Sequence, residues 1–278
     1  MFSPNAIEVI NFFTAETERG VGYRALCNAR SALNSVCSIP GYPDISHHPL
    51  IKRFIKGWFN LKPPRSNITY TWDVNIVLQY LNNLGENANL SFPILCKKVV
   101  TLMMLLSGTR VNSLHTFNIK LMNLTSRDCT FIPDGVIKHT RPNYKQSGII
   151  YHSYPHNPRL CPVQTIADYL VIRNNMITPT DKFFVISRKP WSAASRDTLA
   201  RWLKDVMGEA GVNTHIFKPH SCRSASTSAA SRHGVPLQDI LKHGDWANSS
   251  TFYNFYKKDI HSIESDIFSS SILDKTVV

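Results

Sequence analysis

No uninterrupted apolar run in the 278 residues reaches membrane-spanning length, and the first residues lack the basic start and apolar segment of a secretory signal. A soluble protein with no membrane partner is expected. The six cysteines, at 27, 37, 96, 129, 161 and 222, form no Cys-x-x-Cys pair and adjoin no His pair at ligand spacing. A zinc site is therefore not expected, and reduced thiols in an intracellular compartment fit best. Low-complexity tracts and internal repeats are missing as well. Acidic residues are few: 19 Asp and Glu stand against 31 Lys and Arg, giving a net charge of +12. That imbalance is an electrostatic argument for a polyanionic partner, whether DNA, RNA or an acidic membrane surface, and carries no information on fold. The 43% hydrophobic content is enough for one large domain or two modest ones.

Along the chain, apolar residues recur at helical spacing. Ser3-Pro4 opens a first helix reaching Gly20, and a second runs from about Tyr23 to Val36. The third, Leu50 to Phe59, interleaves bulky apolar residues with Lys52, Arg53 and Lys56, so one face can pack while the other meets a nucleic-acid backbone. Lys62-Pro63-Pro64-Arg65 breaks the pattern and marks a boundary between residues 1–65 and 66–278. Beyond it, Val74 to Leu84 reads as an amphipathic helix stopped by Gly85. The stretch from Val99 to Leu106 is apolar nearly all round and belongs deep in a core, ending at Ser107-Gly108-Thr109-Arg110. An Arg at the mouth of a buried helix is fixed in position, unlike an ordinary surface Arg.

Between Thr130 and Tyr154 the periodicity changes. Three short β pieces, Thr130 to Ile132, Val136 to His139 and Ile149 to Tyr154, predict a small antiparallel sheet with Lys138 on its middle strand and Arg141 and Lys145 close behind. Helices return at Val163 to Asn174, at Leu199 to Met207, and at Ser221, where Ser221 is the predicted N-cap and Gly234 the stop. His220 and Arg223 then share a lip near a helix N-terminus. Free backbone N–H groups, the helix dipole and a guanidinium fork all favour a phosphate there. A short helix near Pro236 to Lys242 and the stretch Trp246 to Lys258 follow.

The ordered set Arg110, Lys138, His220-x-x-Arg223, Trp246 and Tyr256 resembles the tyrosine recombinases, the phage-integrase-like enzymes. Leu-Ser-Gly-Thr-Arg110 is similar to their first Arg box, His220 to Arg223 to the second, and Trp246 to Tyr256 to the nucleophile box. Lys138-His139-Thr140-Arg141-Pro142, Leu160-Cys161-Pro162-Val163, Lys218 to Ser226 and Thr251 to Tyr256 are most similar to the recombinases of DIRS-type retrotransposons, with Crypton-type elements a near neighbour.

The resemblance implies a mainly α fold with a small antiparallel sheet, a catalytic domain preceded by a short helical core-binding domain, the two closing on double-stranded DNA as a C-shaped clamp. It implies strand cleavage and rejoining through a covalent 3′-phosphotyrosine, with Tyr256 the nucleophile, Arg110 and Arg223 the clamps on developing phosphate charge, His220 an aid to deprotonation, Lys138 the general acid and Trp246 a donor to the phosphate. Lys52, Arg53, Lys56, Arg141 and Lys145 are the implied DNA contacts. No metal or nucleotide cofactor is needed, and a synaptic tetramer in the nucleus is implied. Two rival readings share much of this pattern: a catalytically silent DNA-binding relic of a mobile element, and a relaxing topoisomerase. All six expected catalytic positions hold suitable residues, which favours the enzyme. The chain departs from many relatives at Ser113, where they carry an acid, and in a Trp-to-Tyr spacing one residue longer.

Overall fold

The structure, a computed structural model, describes residues 4–37, 44, 45, 47–64, 68–137, 140 and 148–260. The chain divides into two compact units, Met1–Ile68 and Thr69–Val278.

The first unit is three helices, α1 (Ala6–Glu18), α2 (Tyr23–Cys37) and α3 (Pro49–Leu61). Asn5, not Ser3-Pro4, caps α1: its side chain accepts from the Ile7 and Glu8 amides while Glu8 accepts from the Asn5 amide, a reciprocal box that satisfies donors at the helix start. Val9, Phe13, Leu26, Ile45, Ile51 and Ile55 form its small core. Ile51 and Ile55 sit four apart on α3, so burying them turns Lys52, Arg53 and Lys56 outward, where all three are exposed.

The second unit begins with β1 (Tyr70–Thr71) and α4 (Val74–Asn83), followed by α5 (Phe92–Ser107) and the short α6 (Val111–His115). Next come β2 (Met122–Leu124), β3 (Asp128–Phe131) and β4 (Ile149–His152), then α7 (Pro162–Asn174), α8 (Arg196–Glu209), α9 (Ser221–Arg232), α10 (Leu237–Gly244), α11 (Ser249–Phe255) and β5 (Asp259–Ile260). The apolar α5 is the axis of this unit. Leu95, Val99, Val100, Met103 and Met104 are buried on different sides of it, and α7, α8 and α9 pack around it. Gly108 ends α5 in a left-handed conformation, φ +58°, which a β-carbon disfavours.

The antiparallel sheet is present, in the order β2-β3-β4 with Asn123 opposite Thr130 and Cys129 opposite Tyr151. Its composition differs from expectation. Met122–Leu124 supplies a strand that the sequence pattern did not mark, β3 is the middle strand, and Val136 and Ile137 are in none. Ile137 is bonded instead to Thr140, whose hydroxyl accepts from the Ile137 amide at 2.9 Å, a side-chain bond that competes with strand pairing. Lys138, Arg141 and Lys145 lie outside the described residues. A second, two-stranded sheet pairs β1 with β5 in parallel, Tyr70 opposite Asp259 and Thr71 opposite Ile260.

Candidate active site

Three elements of the second unit bring the singled-out residues together. The turn after α5 sets Arg110 at the N-cap of α6 with extended backbone, φ −99° and ψ 149°. The start of α9 carries His220 and Arg223. Here the structure corrects the expected cap: His220, in helical conformation, occupies the N-cap position and Ser221 is the first helical residue. The Ser221 hydroxyl is turned elsewhere and accepts from the Trp72 indole N–H at 2.9 Å, tying α9 to the segment after β1.

Arg223 is the centre of the cluster and is only 1% exposed. Nη1 donates to the Gly108 carbonyl at 2.9 Å, and Nη2 donates to the Gly244 carbonyl. The guanidinium carbon lies 4.3 Å from the Trp246 ring centre and 5.2 Å from that of Tyr256. Burial, with the neighbouring charge of Arg110, pushes the Arg223 guanidinium down to about 10, still protonated at neutral pH. The two Arg side chains are thus near enough to feel each other's charge, as two clamps on one anion would be.

Trp246 follows α10 through Asp245, which adopts a left-handed conformation at the helix end. The indole is buried, 4.5 Å between ring centres from Tyr256 and 5.7 Å from Phe252. A β-carbon on Gly244 would overlap the indole, so glycine is required there sterically. Tyr256 caps the C-terminus of α11, and its ring centre lies 6.4 Å from that of His220. Tyr253 is 50% exposed, its ring tilted against Phe252 and beneath the Lys257 ammonium.

Two buried donors of the cluster, Arg223 Nε and Trp246 Nε1, have no hydrogen-bond partner among the described residues. Ser113, the residue three after Arg110, is buried, and its amide donates to the Arg110 carbonyl at 2.8 Å. That backbone bond closes the first turn of α6, at whose N-cap Arg110 sits.

The cluster thus joins Arg110, His220, Arg223, Trp246 and Tyr256, and Lys138 is not among the described residues. Gly108 and Gly244, whose carbonyls accept from Arg223, are supporting positions that the sequence pattern did not single out. Gly108 was visible only as a helix stop, and no pattern in the sequence marks Gly244.

A family model described as the phage integrase family matches residues 78–261. The chain belongs to this family. The family match spans four of the five clustered residues' elements and the turn that carries the fifth, Arg110. Solved structures share the fold across nearly the whole chain. XerH site-specific recombinase, bound to its palindromic difH substrate in a post-cleavage complex, is 12% identical with a TM-score of 0.63, covering 98% of this chain and 73% of that one. Tn1549 transposon integrase in complex with transposon right end DNA is 10% identical with a TM-score of 0.62, covering 99% and 86%. A lambda integrase dimer bound to a core site is 11% identical with a TM-score of 0.54, covering 95% and 82%. At these identities the likeness concerns fold. No curated protein matches the chain in sequence.

In the first unit, Lys52 and Lys56 line a recess of about 290 Å³ with Arg30, Tyr23, Ile55 and Phe59. Among the described residues, no acidic side chain lines it. An anion is the ligand this lining favours.

Proposed function

We propose that this phage integrase family member is a site-specific DNA recombinase that cuts and rejoins strands through a 3′-phosphotyrosine on Tyr256. The observation that carries the proposal is the pair of buried, unpartnered donors beside that tyrosine, Arg223 Nε and Trp246 Nε1. Leaving a donor buried and unpaired costs about 1–3 kcal/mol. A phosphodiester seated between Arg110, Arg223 and Trp246 would accept from both and would gain most when charge builds on its non-bridging oxygens.

The steps follow from the residues. The Tyr256 oxygen forms a bond to phosphorus, the bond from phosphorus to the 5′-oxygen breaks, and the phenol proton passes toward His220. The departing 5′-oxygen takes a proton from Lys138, the role the family resemblance gives it. The new phosphate ester conserves the bond energy, so a 5′-hydroxyl from another strand reverses the step with no metal or nucleotide. The substrate is duplex DNA held by phosphate contacts, among them Lys52, Arg53, Lys56, Arg141 and Lys145. The resemblance of its sequence segments to DIRS-type recombinases supports the reading that it integrates a mobile element, in the nucleus and as a synaptic tetramer.

The test is covalent trapping. Nicked duplexes drawn from the DNA flanking the coding sequence should give a protein–DNA adduct whose phosphopeptide maps to Tyr256. Tyr256→Phe should abolish the adduct and Tyr253→Phe should leave it. An adduct on Tyr253 would overturn the assignment. DNA binding with no adduct from any duplex would favour the silent relic.

A further inference from the structure

Tyr256 sits at the end of a seven-residue helix, and the fold has a separate device for holding it. The Ser228 hydroxyl, 1% exposed within α9, donates to the Tyr256 carbonyl at 2.6 Å and accepts from the Lys258 amide at 3.0 Å. One buried hydroxyl thereby grips the backbone on both sides of Lys257. Arg232, one turn further along α9, donates from Nη1 to the Lys258 carbonyl at 3.1 Å. Immediately beyond, Asp259 and Ile260 pair in parallel with Tyr70 and Thr71.

We propose that Ser228 is a positioning residue for the nucleophile: together with Arg232 and β1 it straps the chain after Tyr256 to the helix that carries His220 and Arg223, so that Tyr256 is presented to the phosphate of its own active site. This rests on the functional reading above and deepens it. Ser228 lies five residues after Arg223 on one rigid helix, roughly 7.5 Å along its axis at 1.5 Å per residue. The helix acts as a ruler, with the phosphate clamp near one end and the grip on the nucleophile's backbone a fixed distance away. Helix α11 alone is too short to set that distance, because its terminal residues fray without tertiary support. The ring contacts of Tyr256 with Trp246 orient the phenol, and the strap fixes the backbone from which it projects.

Ser228→Ala removes both hydrogen bonds and leaves the five clustered side chains in place. In the full-length protein on nicked duplex, it should slow Tyr256 adduct formation by 10-fold or more with unchanged DNA affinity. A second arm separates positioning from general damage. In a Tyr256→Phe background, hydrogen peroxide can supply the attacking oxygen: it bonds to phosphorus, the bond to the 5′-oxygen breaks, and that oxygen takes a proton. Adding Ser228→Ala should leave this peroxide-driven cleavage unchanged. Equal losses in both arms would mean that Ser228 shapes the whole site, and no loss in the first would mean that the strap does not position Tyr256. Either result overturns the proposal. Amide exchange at Lys258 in DNA-free protein tests the strap independently of chemistry: it should accelerate at least 10-fold in Ser228→Ala while α5 amides hold, and an unchanged rate would also overturn it. If the unmodified protein forms no adduct, the functional reading fails, and the Lys258 amide still decides the strap.

Discussion

Arg223 donates to the carbonyl of Gly108, 115 residues earlier in the chain, and that 2.9 Å hydrogen bond locks the second Arg box to the turn that delivers Arg110. The two guanidiniums therefore move together. The position suits glycine because its backbone is left-handed and Thr227 Cγ2 would lie 3.2 Å from any β-carbon there.

Gly108→Ala is predicted to damage chemistry more than folding. Strain at the positive φ costs about 1–2 kcal/mol, within what a domain of this size tolerates. Relief of the Thr227 contact would shift the turn, and about 1 Å of misplacement in a reacting constellation can cost on the order of 100-fold. The expected outcome is a small fall in melting temperature and a large fall in the adduct rate. A variant with native adduct kinetics would show that the turn does not set the clamp geometry.

The Arg clamps should matter for cleavage more than for binding, since electrostatic stabilisation acts where charge develops. Arg110→Ala or Arg223→Ala should each lower cleavage by about 100-fold or more, by analogy with losing an oxyanion donor, with DNA affinity nearly unchanged. Single-turnover cleavage measured beside equilibrium binding makes the comparison. Matching losses in both would reduce these residues to anchors.

Binding to generic duplex should be dominated by phosphate contacts, given the net charge of +12 and the exposed Lys52, Arg53 and Lys56. Affinity should fall steeply as salt rises, and replacing these three by Ala should flatten the logarithmic slope by roughly 0.9 for each phosphate that is no longer neutralised. A slope untouched by the triple variant would remove α3 from the interface.

Acid stability should depend on Glu209. Its carboxylate accepts from the Tyr80 hydroxyl and from Lys97, bonds that hold its pKa below the usual carboxylate range. A lowered carboxyl pKa contributes stability that is present above the unfolded value, about 4.3 for Glu, and is lost as pH falls through the lower folded value. The side chain is 46% exposed, so no more than about 1 kcal/mol is expected. The melting-temperature gap between the unmodified protein and Glu209→Gln should be widest near neutral pH and close on acidification. A gap that widened with acid would reverse the sign of the argument.

Much of this site was legible in the sequence because its parts obey local rules. A buried apolar helix must end somewhere, and a left-handed glycine ended it just before Arg110. His220 and Arg223 stand three apart, so any helix through them puts both on one face. The sheet was legible only in outline, because Thr140 bonds Ile137 locally and Met122–Leu124 is too short to declare a period of two. Gly244 and Ser228 were not legible: one is glycine because the Trp246 indole, two residues on, folds back over its β-carbon position, and the other is one serine among several on a small-residue helix. The folded geometry, and not a local pattern of residue types, assigns those roles.

The general acid is the remaining catalytic role, and its test needs chemistry rather than geometry, since Lys138 lies outside the described residues. A leaving alkoxide requires a proton, whereas a thiolate leaves without one because its conjugate acid is far stronger. Lys138→Ala is therefore predicted to cleave ordinary DNA poorly and to recover, in part or fully, on a substrate whose 5′-bridging oxygen at the cut is sulfur. Arg223→Ala serves as the control, because a clamp on non-bridging oxygens is needed whichever atom leaves and should gain little from sulfur. If the sulfur substrate rescues neither variant, Lys138 is not the acid, and the same comparison passes to Lys145, the next lysine on that segment.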